Sequence, residues 1–151
     1  MKKVIIASSL GNLIEWYDFT LYIYLSTTLA ALFFPEQSQT AGLLMTFAVF
    51  ALGFLVRPLG GAFFGYLGDR FGRKNALSVS ILMMTLPTLL IGITPTYATI
   101  GIAAPCLMIL WRILQGLSVG GEYTSSVLFL SESAPKENRG FAASFALVGA
   151  G

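Results

Sequence analysis

The sequence predicts an all-α membrane protein with four transmembrane helices and the start of a fifth. Of its 151 residues, 56% are hydrophobic and only 11% are charged, whereas soluble domains carry about 25% charged residues. The apolar residues also form runs of about 20 residues or more, which is long enough to cross a bilayer as a helix. The predicted spans are residues 4–34, 41–67, 75–93 and 100–130, with an incomplete fifth segment at 140–151.

The first apolar run follows two lysines, as the core of a secretory signal peptide does. It continues from Val4 to Phe34, however, and it holds Glu15 and Asp18 near its middle. A signal peptide has a short apolar core of about 7–15 residues. We therefore interpret this run as the first spanning helix.

Glycine and proline positions predict how the other spans pack. Pro58 should kink the second span, because proline removes a backbone donor and clashes with the preceding turn. The pairs Gly61/Gly65 and Gly116/Gly120 have small-xxx-small spacing, which lets another helix approach closely. The third span has no ionisable residue and is predicted to be a scaffold helix that faces lipid.

Several classes of function are excluded by composition. There is no histidine and only one cysteine, Cys106, so a Cys/His metal site and an intramolecular disulfide are both excluded. The same lack of a nucleophile–base set argues against a membrane enzyme, and no catalytic residue or cofactor is expected. No strongly basic run is present that would indicate a nucleic-acid partner.

The distribution of Lys and Arg predicts the orientation. With a cytoplasmic N-terminus, the inner side carries seven basic residues and the outer loops carry none, only Glu36. Cytoplasmic loops of membrane proteins are enriched in Lys and Arg, so we expect a multi-pass protein of the plasma (bacterial inner) membrane with its N-terminus inside. The seven residues are Lys2, Lys3, Arg70, Arg73, Lys74, Lys136 and Arg139.

Five ionisable side chains are predicted at membrane depth: Glu15, Asp18, Arg57, Arg112 and Glu122. An Arg, Lys or Asp at a helix centre costs about 2.5–3.5 kcal/mol on insertion scales, so such groups should face the bundle interior and be paired. Residue counting at about 1.5 Å per residue places Asp18 near the depth of Arg112, and Glu15 near that of Arg57. These pairs are the predicted partners. The charges either only hold helices together or line a path for substrate and protons.

Polar residues share one face on each of two helices. On the first span Asn12, Glu15, Asp18 and Tyr22 recur at steps of three and four residues. On the fourth span one face holds Arg112, Gln115, Glu122 and Ser126. Two such faces need a common wet interior, which predicts a translocation cavity. Three carboxylates against two arginines leave one in surplus, so Glu15, Asp18 or Glu122 is a candidate proton-coupling group. The predicted path residues are Glu15, Asp18, Tyr22, Arg57, Arg112, Gln115 and Glu122.

A glycine-rich, basic loop is predicted at residues 65–74, and it resembles the signature between the second and third helices of the major facilitator superfamily. Its signature residues are Gly65, Gly68, Asp69, Arg70, Gly72, Arg73 and Lys74. Residues 112–116 resemble the fourth-helix motif of that superfamily. Residues 11–19, 57–61 and 115–123 are similar to the metabolite:proton symporter family, which includes proline/betaine, α-ketoglutarate, citrate and shikimate carriers.

The resemblance implies a two-lobed carrier of twelve helices that works by alternating access. This chain is then an N-terminal fragment, part of the first six-helix lobe, and alone it is expected not to transport because the C-terminal lobe is its missing partner. In the family pattern Asp69 braces the inward gate against that lobe, and Arg73 pairs with an acidic residue, here Glu132. The plainer alternative is a loop that only anchors topology.

The resemblance also implies the activity: proton-coupled symport of a small polar metabolite, such as proline/betaine or an organic acid. The proton gradient supplies the driving force. The alternative is a non-transporting structural or channel-like membrane protein. That alternative explains charges between helices but not the order of residues in the signature at 65–74.

Overall fold

The computed structural model describes residues 2–35, 38–133, 135, 139–141 and 144, and all regular secondary structure in these ranges is α-helical. Among them, three helical segments are long and apolar enough to cross a membrane: Gln39–Phe71, Arg73–Ile93 and Ala103–Glu122. The predicted all-α membrane fold is confirmed. The helices are α1 (Lys2–Tyr24), α2 (Ser26–Phe33), α3 (Gln39–Phe71), α4 (Arg73–Ile93), α5 (Tyr97–Ile100) and α6 (Ala103–Ser133).

The first predicted span, residues 4–34, is divided into two helices. Leu25 interrupts it with a ψ of 2°, although backbone hydrogen bonds still reach Leu25 from one turn on each side. α2 packs mainly on α3, where Gly42 lies close to the Phe34 carbonyl oxygen and the Ala30 side chain. A single straight helix is therefore the wrong prediction for this run.

The predicted loop at residues 65–74 is also wrong. α3 continues to Phe71 and α4 begins at Arg73, so Gly72 alone lies outside a helix in this stretch. Gly72 has a φ of 93°, a conformation that residues with a Cβ rarely adopt. One glycine thus reverses the chain, and the charged residues of the signature lie on two helix ends. Pro58 lies inside α3 and does not end it.

The fourth predicted span, residues 100–130, corresponds to α6. This helix begins three residues later and ends three residues later than predicted. The short α5 and Gly101, which has a φ of 61°, come before α6. Of the predicted fifth segment at 140–151, most residues lie outside the described part of the chain. Residues 139–141 are helical.

Backbone-to-backbone packing joins α3 and α6. A Cβ added at Gly60, Gly116 or Gly120 would overlap backbone atoms of the opposite helix. The prediction of close approach at Gly116 and Gly120 is confirmed. In α3 the contact uses Gly53 and Gly60, whereas a Cβ at the predicted Gly65 would meet nothing within 4 Å.

α4 has two different faces. Large side chains such as Leu82, Leu86 and Leu89 are exposed, as the prediction of a lipid-facing helix requires. The opposite face packs against α6, and there the Ser118 hydroxyl donates a hydrogen bond to the Ser80 carbonyl oxygen. The third span is therefore also part of the helix core.

Candidate substrate and proton site

An ion pair between α1 and α6 lies at the centre of the site. Arg112 Nη1 is 3.1 Å from Asp18 Oδ2, and the two side chains are only 4% and 13% exposed. The Arg112 guanidinium also lies 3.7 Å from the centre of the Tyr22 ring. The predicted pairing of Asp18 with Arg112 is confirmed, and the cation has a carboxylate and an aromatic face as partners.

Two neutral side chains complete the surroundings of Asp18. Gln115 Nε2 lies 3.4 Å from Asp18 Oδ2 and donates a 2.7 Å hydrogen bond to Thr88 Oγ1. Thr88 Oγ1 in turn lies 3.4 Å from Asp18 Oδ1. Thr88 comes from α4, so three helices supply this cluster. Thr88 was not among the predicted site residues, since a lone threonine in an apolar span is not distinctive.

Tyr22 is anchored to α3. Its hydroxyl donates a 3.0 Å hydrogen bond to the Thr46 carbonyl oxygen, and its ring stacks on Phe50 with centroids 5.4 Å apart. Because both ends of Tyr22 are held, its ring stays in place against Arg112. The predicted path residue Tyr22 therefore positions the central cation.

A second ion pair joins α1 to α3. Arg57 Nη2 is 3.7 Å from Glu15 Oε1, which confirms the predicted partners. The Arg57 guanidinium lies between two rings, 4.5 Å from the centre of Phe19 and 4.0 Å from that of Phe54. Arg57 Nε and Nη2 are buried and have no hydrogen-bond acceptor among the described residues. This guanidinium thus keeps unused donor capacity.

Glu122 differs from the other two carboxylates. It is 1% exposed, and neither of its carboxylate oxygens has a hydrogen-bond partner within the described part of the chain. The charge of Glu15 acts on it electrostatically. The structure therefore identifies the surplus carboxylate expected from the charge count as Glu122. The side chains of Asn12 and Ser126 lie outside the described residues.

A cavity of about 370 Å³ adjoins the central pair. Asp18, Tyr22, Thr88 and Arg112 contribute to its wall, and the remaining wall is mostly apolar. Apolar walls with a few convergent polar groups are typical of sites for small molecules.

The signature residues form a separate cluster at the junction of α3 and α4. Arg73 Nη2 is 2.6 Å from Asp69 Oδ1, and Arg73 Nε is 3.7 Å from Glu132 Oε1. The predicted contact between Arg73 and Glu132 is confirmed. Gly68 gives room for Arg73, since a Cβ there would lie 3.0 Å from Arg73 Nη1.

The other signature residues are more exposed. Arg70 donates a 2.7 Å hydrogen bond to the Tyr66 hydroxyl, and Lys74 is exposed. The Asp69 side chain is 69% exposed despite its contact with Arg73. None of these residues reaches the Asp18–Arg112 cluster through a described contact, so the chain has two distinct polar regions.

Residues 3–149 match the family model described as "Sugar (and other) transporter". The chain belongs to this family. It is 46% identical over 145 residues to the proline/betaine transporter of Salmonella typhimurium and 48% identical over 144 residues to the alpha-ketoglutarate permease of Escherichia coli. These matches cover 96% and 95% of the chain but 29% and 33% of the relatives, so the chain spans about a third of their length.

The fold agrees with this assignment. The structure matches the xylose transporter XylE from E. coli with a TM-score of 0.82 and 22% sequence identity, covering 97% of this chain and 36% of that protein. Another structure of XylE is described as a major facilitator superfamily protein. The resemblance to this superfamily is confirmed, and the family and its relatives are transporters rather than enzymes.

Proposed function

We propose that this chain forms the N-terminal part of a proton-coupled symporter for a small, carboxylate-bearing metabolite such as proline, a betaine or an organic acid. The buried Asp18–Arg112 pair carries the proposal, because it joins two helices beside a cavity. Intramembrane charges that are paired and face a cavity are typical of substrate and proton pathways. Relatives at 43–48% identity are named as carriers of proline/betaine and alpha-ketoglutarate.

The unused donors support a carboxylate as the shared feature of the substrate. Arg57 Nε, Arg57 Nη2 and Arg112 Nε are buried without acceptors among the described residues. Hydrogen bonds from a guanidinium to a carboxylate are charge-assisted and about twice as strong as neutral ones. Proline, betaines and α-ketoglutarate all carry a carboxylate, so the two arginines suit each of them.

Transport by alternating access requires a second lobe. Rocking of two repeats around a central site exposes that site to each side in turn, and the relatives are about three times as long as this chain. We infer that Asp69, which is exposed, contacts the second lobe at the cytoplasmic side. Arg73 then holds Asp69 and Glu132 in place on the first lobe. The excess of Lys and Arg on one side supports an N-terminus in the bacterial cytoplasm.

Uptake by the full-length protein that contains this chain tests the proposal. In cells without their own carriers, radiolabelled proline, glycine betaine and α-ketoglutarate are supplied separately, with and without a protonophore. At least one should accumulate, and the protonophore should abolish the accumulation. Asp18→Asn and Arg112→Gln should each reduce uptake, because removing one partner of a buried ion pair leaves the other uncompensated.

Three results would contradict the proposal. No accumulation of any of the three solutes would exclude this substrate class. Accumulation that persists with the protonophore would exclude proton coupling. Flux that increases linearly with solute concentration would favour a channel over a carrier.

A further inference from the structure

Glu122 is buried at the crossing of α3 and α6. Gly120, two residues before Glu122, packs against the backbone of Arg57. Gly121, directly before Glu122, packs against the Phe64 ring. Glu122 itself is 1% exposed. Glu122 thus directly follows two closely packed glycines and is itself shielded from solvent.

Few charges surround Glu122 among the residues that the structure describes. Glu15 on α1 acts on it electrostatically, and Arg57 on α3 is the partner of Glu15. On α4, which also packs against α6, Arg73 and Lys74 at its start are the only ionisable residues. Within the described part of the chain these three groups are therefore linked in sequence: Glu15 acts on Glu122, and Arg57 pairs with Glu15.

The charges of Glu15, Arg57 and Glu122 do not balance when all three groups are ionised. With both glutamates ionised the cluster carries a net charge of −1, yet no described donor binds either Glu122 oxygen. A buried carboxylate without partners is strongly unfavourable, and such a group neutralises instead. Binding of one proton by Glu122 removes the excess charge and leaves the Glu15–Arg57 pair intact.

We propose that Glu122 is a proton-binding site separate from the Asp18–Arg112 pair, and that loss of its proton lets its carboxylate compete with Glu15 for Arg57. The Nε donor of Arg57, which has no acceptor among the described residues and does not take part in the pair with Glu15, can bind the second carboxylate. The proton passes to water and no other bond changes. A shift of Arg57 from Glu15 on α1 toward Glu122 on α6 then links protonation to the packing of α1. The coupling role rests on the proposed symport, whereas proton binding by Glu122 does not.

Infrared spectroscopy of the full-length protein in lipid bilayers tests proton binding directly. A protonated carboxyl group gives a carbonyl-stretch band that an ionised one lacks, and the band shifts in heavy water. Wild type at neutral pH should show this band, and Glu122→Gln should remove it. Glu132→Gln, which alters a half-exposed carboxylate, should leave it unchanged. The absence of the band in wild type, or its persistence in E122Q, would overturn the proposal.

Transport in proteoliposomes tests the coupling role. With the solute that wild type accumulates, E122Q should keep exchange of labelled for unlabelled solute and lose proton-driven accumulation by roughly 5- to 150-fold, the usual range for coupling between two sites. Wild-type accumulation by E122Q, or equal loss of exchange and accumulation, would overturn this role. If wild type transports none of the solutes, the proposed function fails, while the infrared result still decides whether Glu122 binds a proton.

Discussion

Replacement of Gly116 by alanine should weaken the contact between α3 and α6. A Cβ at this position would lie 2.9 Å from the Cα and the carbonyl carbon of Gly53, whereas carbon atoms are at their best separation at about 3.5–4.0 Å. The helices must therefore separate by about 1 Å, since the opposing atoms are backbone and cannot rotate away. Overpacking of this kind costs about 1–3 kcal/mol, against a gain of up to about 1 kcal/mol in helix propensity.

Gly65→Ala is the matched control. Gly65 is also a helical glycine, but a Cβ there meets nothing within 4 Å, so only the gain in helix propensity remains. We expect Gly116→Ala to lower the free energy of unfolding by about 1–2 kcal/mol and Gly65→Ala to maintain or raise it. Denaturant titration in detergent micelles, followed by circular dichroism, measures both. Equal stability of the two variants would refute the packing argument.

Three further predictions concern the site, the signature and the topology. Thr88→Val should lower the free energy of unfolding by about 1 kcal/mol, because Gln115 loses its hydrogen-bond acceptor. Thr85→Val, which removes only a bond to its own helix, should change it by less than about 0.5 kcal/mol, and equal effects would contradict the role of Thr88. Arg73→Gln should reduce uptake yet change unfolding by less than about 1 kcal/mol, because its partners are more than half exposed; a large stability loss would contradict this. In a cysteine-free background, Ala98→Cys should react with a membrane-impermeant thiol reagent added outside intact cells. Reaction only after permeabilisation would show that residue 98 faces the cytoplasm and that the predicted orientation is wrong.

Counting residues along each span was enough to pair the buried charges. Asp18 with Arg112 and Glu15 with Arg57 lie at matching depths, and each arginine has few oppositely charged partners to choose from. The apolar runs likewise predicted the helices, because a bilayer leaves few other structures available to the backbone. These features could be predicted from the sequence because unpaired charges and unpaired backbone groups carry large energetic penalties in a bilayer.

Features that depend on the direction in which a residue faces around its helix axis could not be predicted from the sequence. Gly60 and Gly65 are both glycines of α3, but a Cβ at Gly60 would overlap the α6 backbone, whereas a Cβ at Gly65 would meet nothing within 4 Å. In the sequence Thr88 resembles Thr85, whose hydroxyl donates a hydrogen bond to its own helix. The two differ only in the folded structure, where Gln115 of α6 lies beside Thr88. The turn at Gly72 was hidden for a different reason, since glycines and charges in a row are typical of loops as well as helix ends.

The turn at Gly72 also constrains how the chain enters the membrane during synthesis. Only one residue lies between α3 and α4, so the two helices are joined without a flexible loop. We expect them to partition from the translocon into lipid as one hairpin. Insertion of residues at this turn is therefore expected to affect biogenesis before it affects transport.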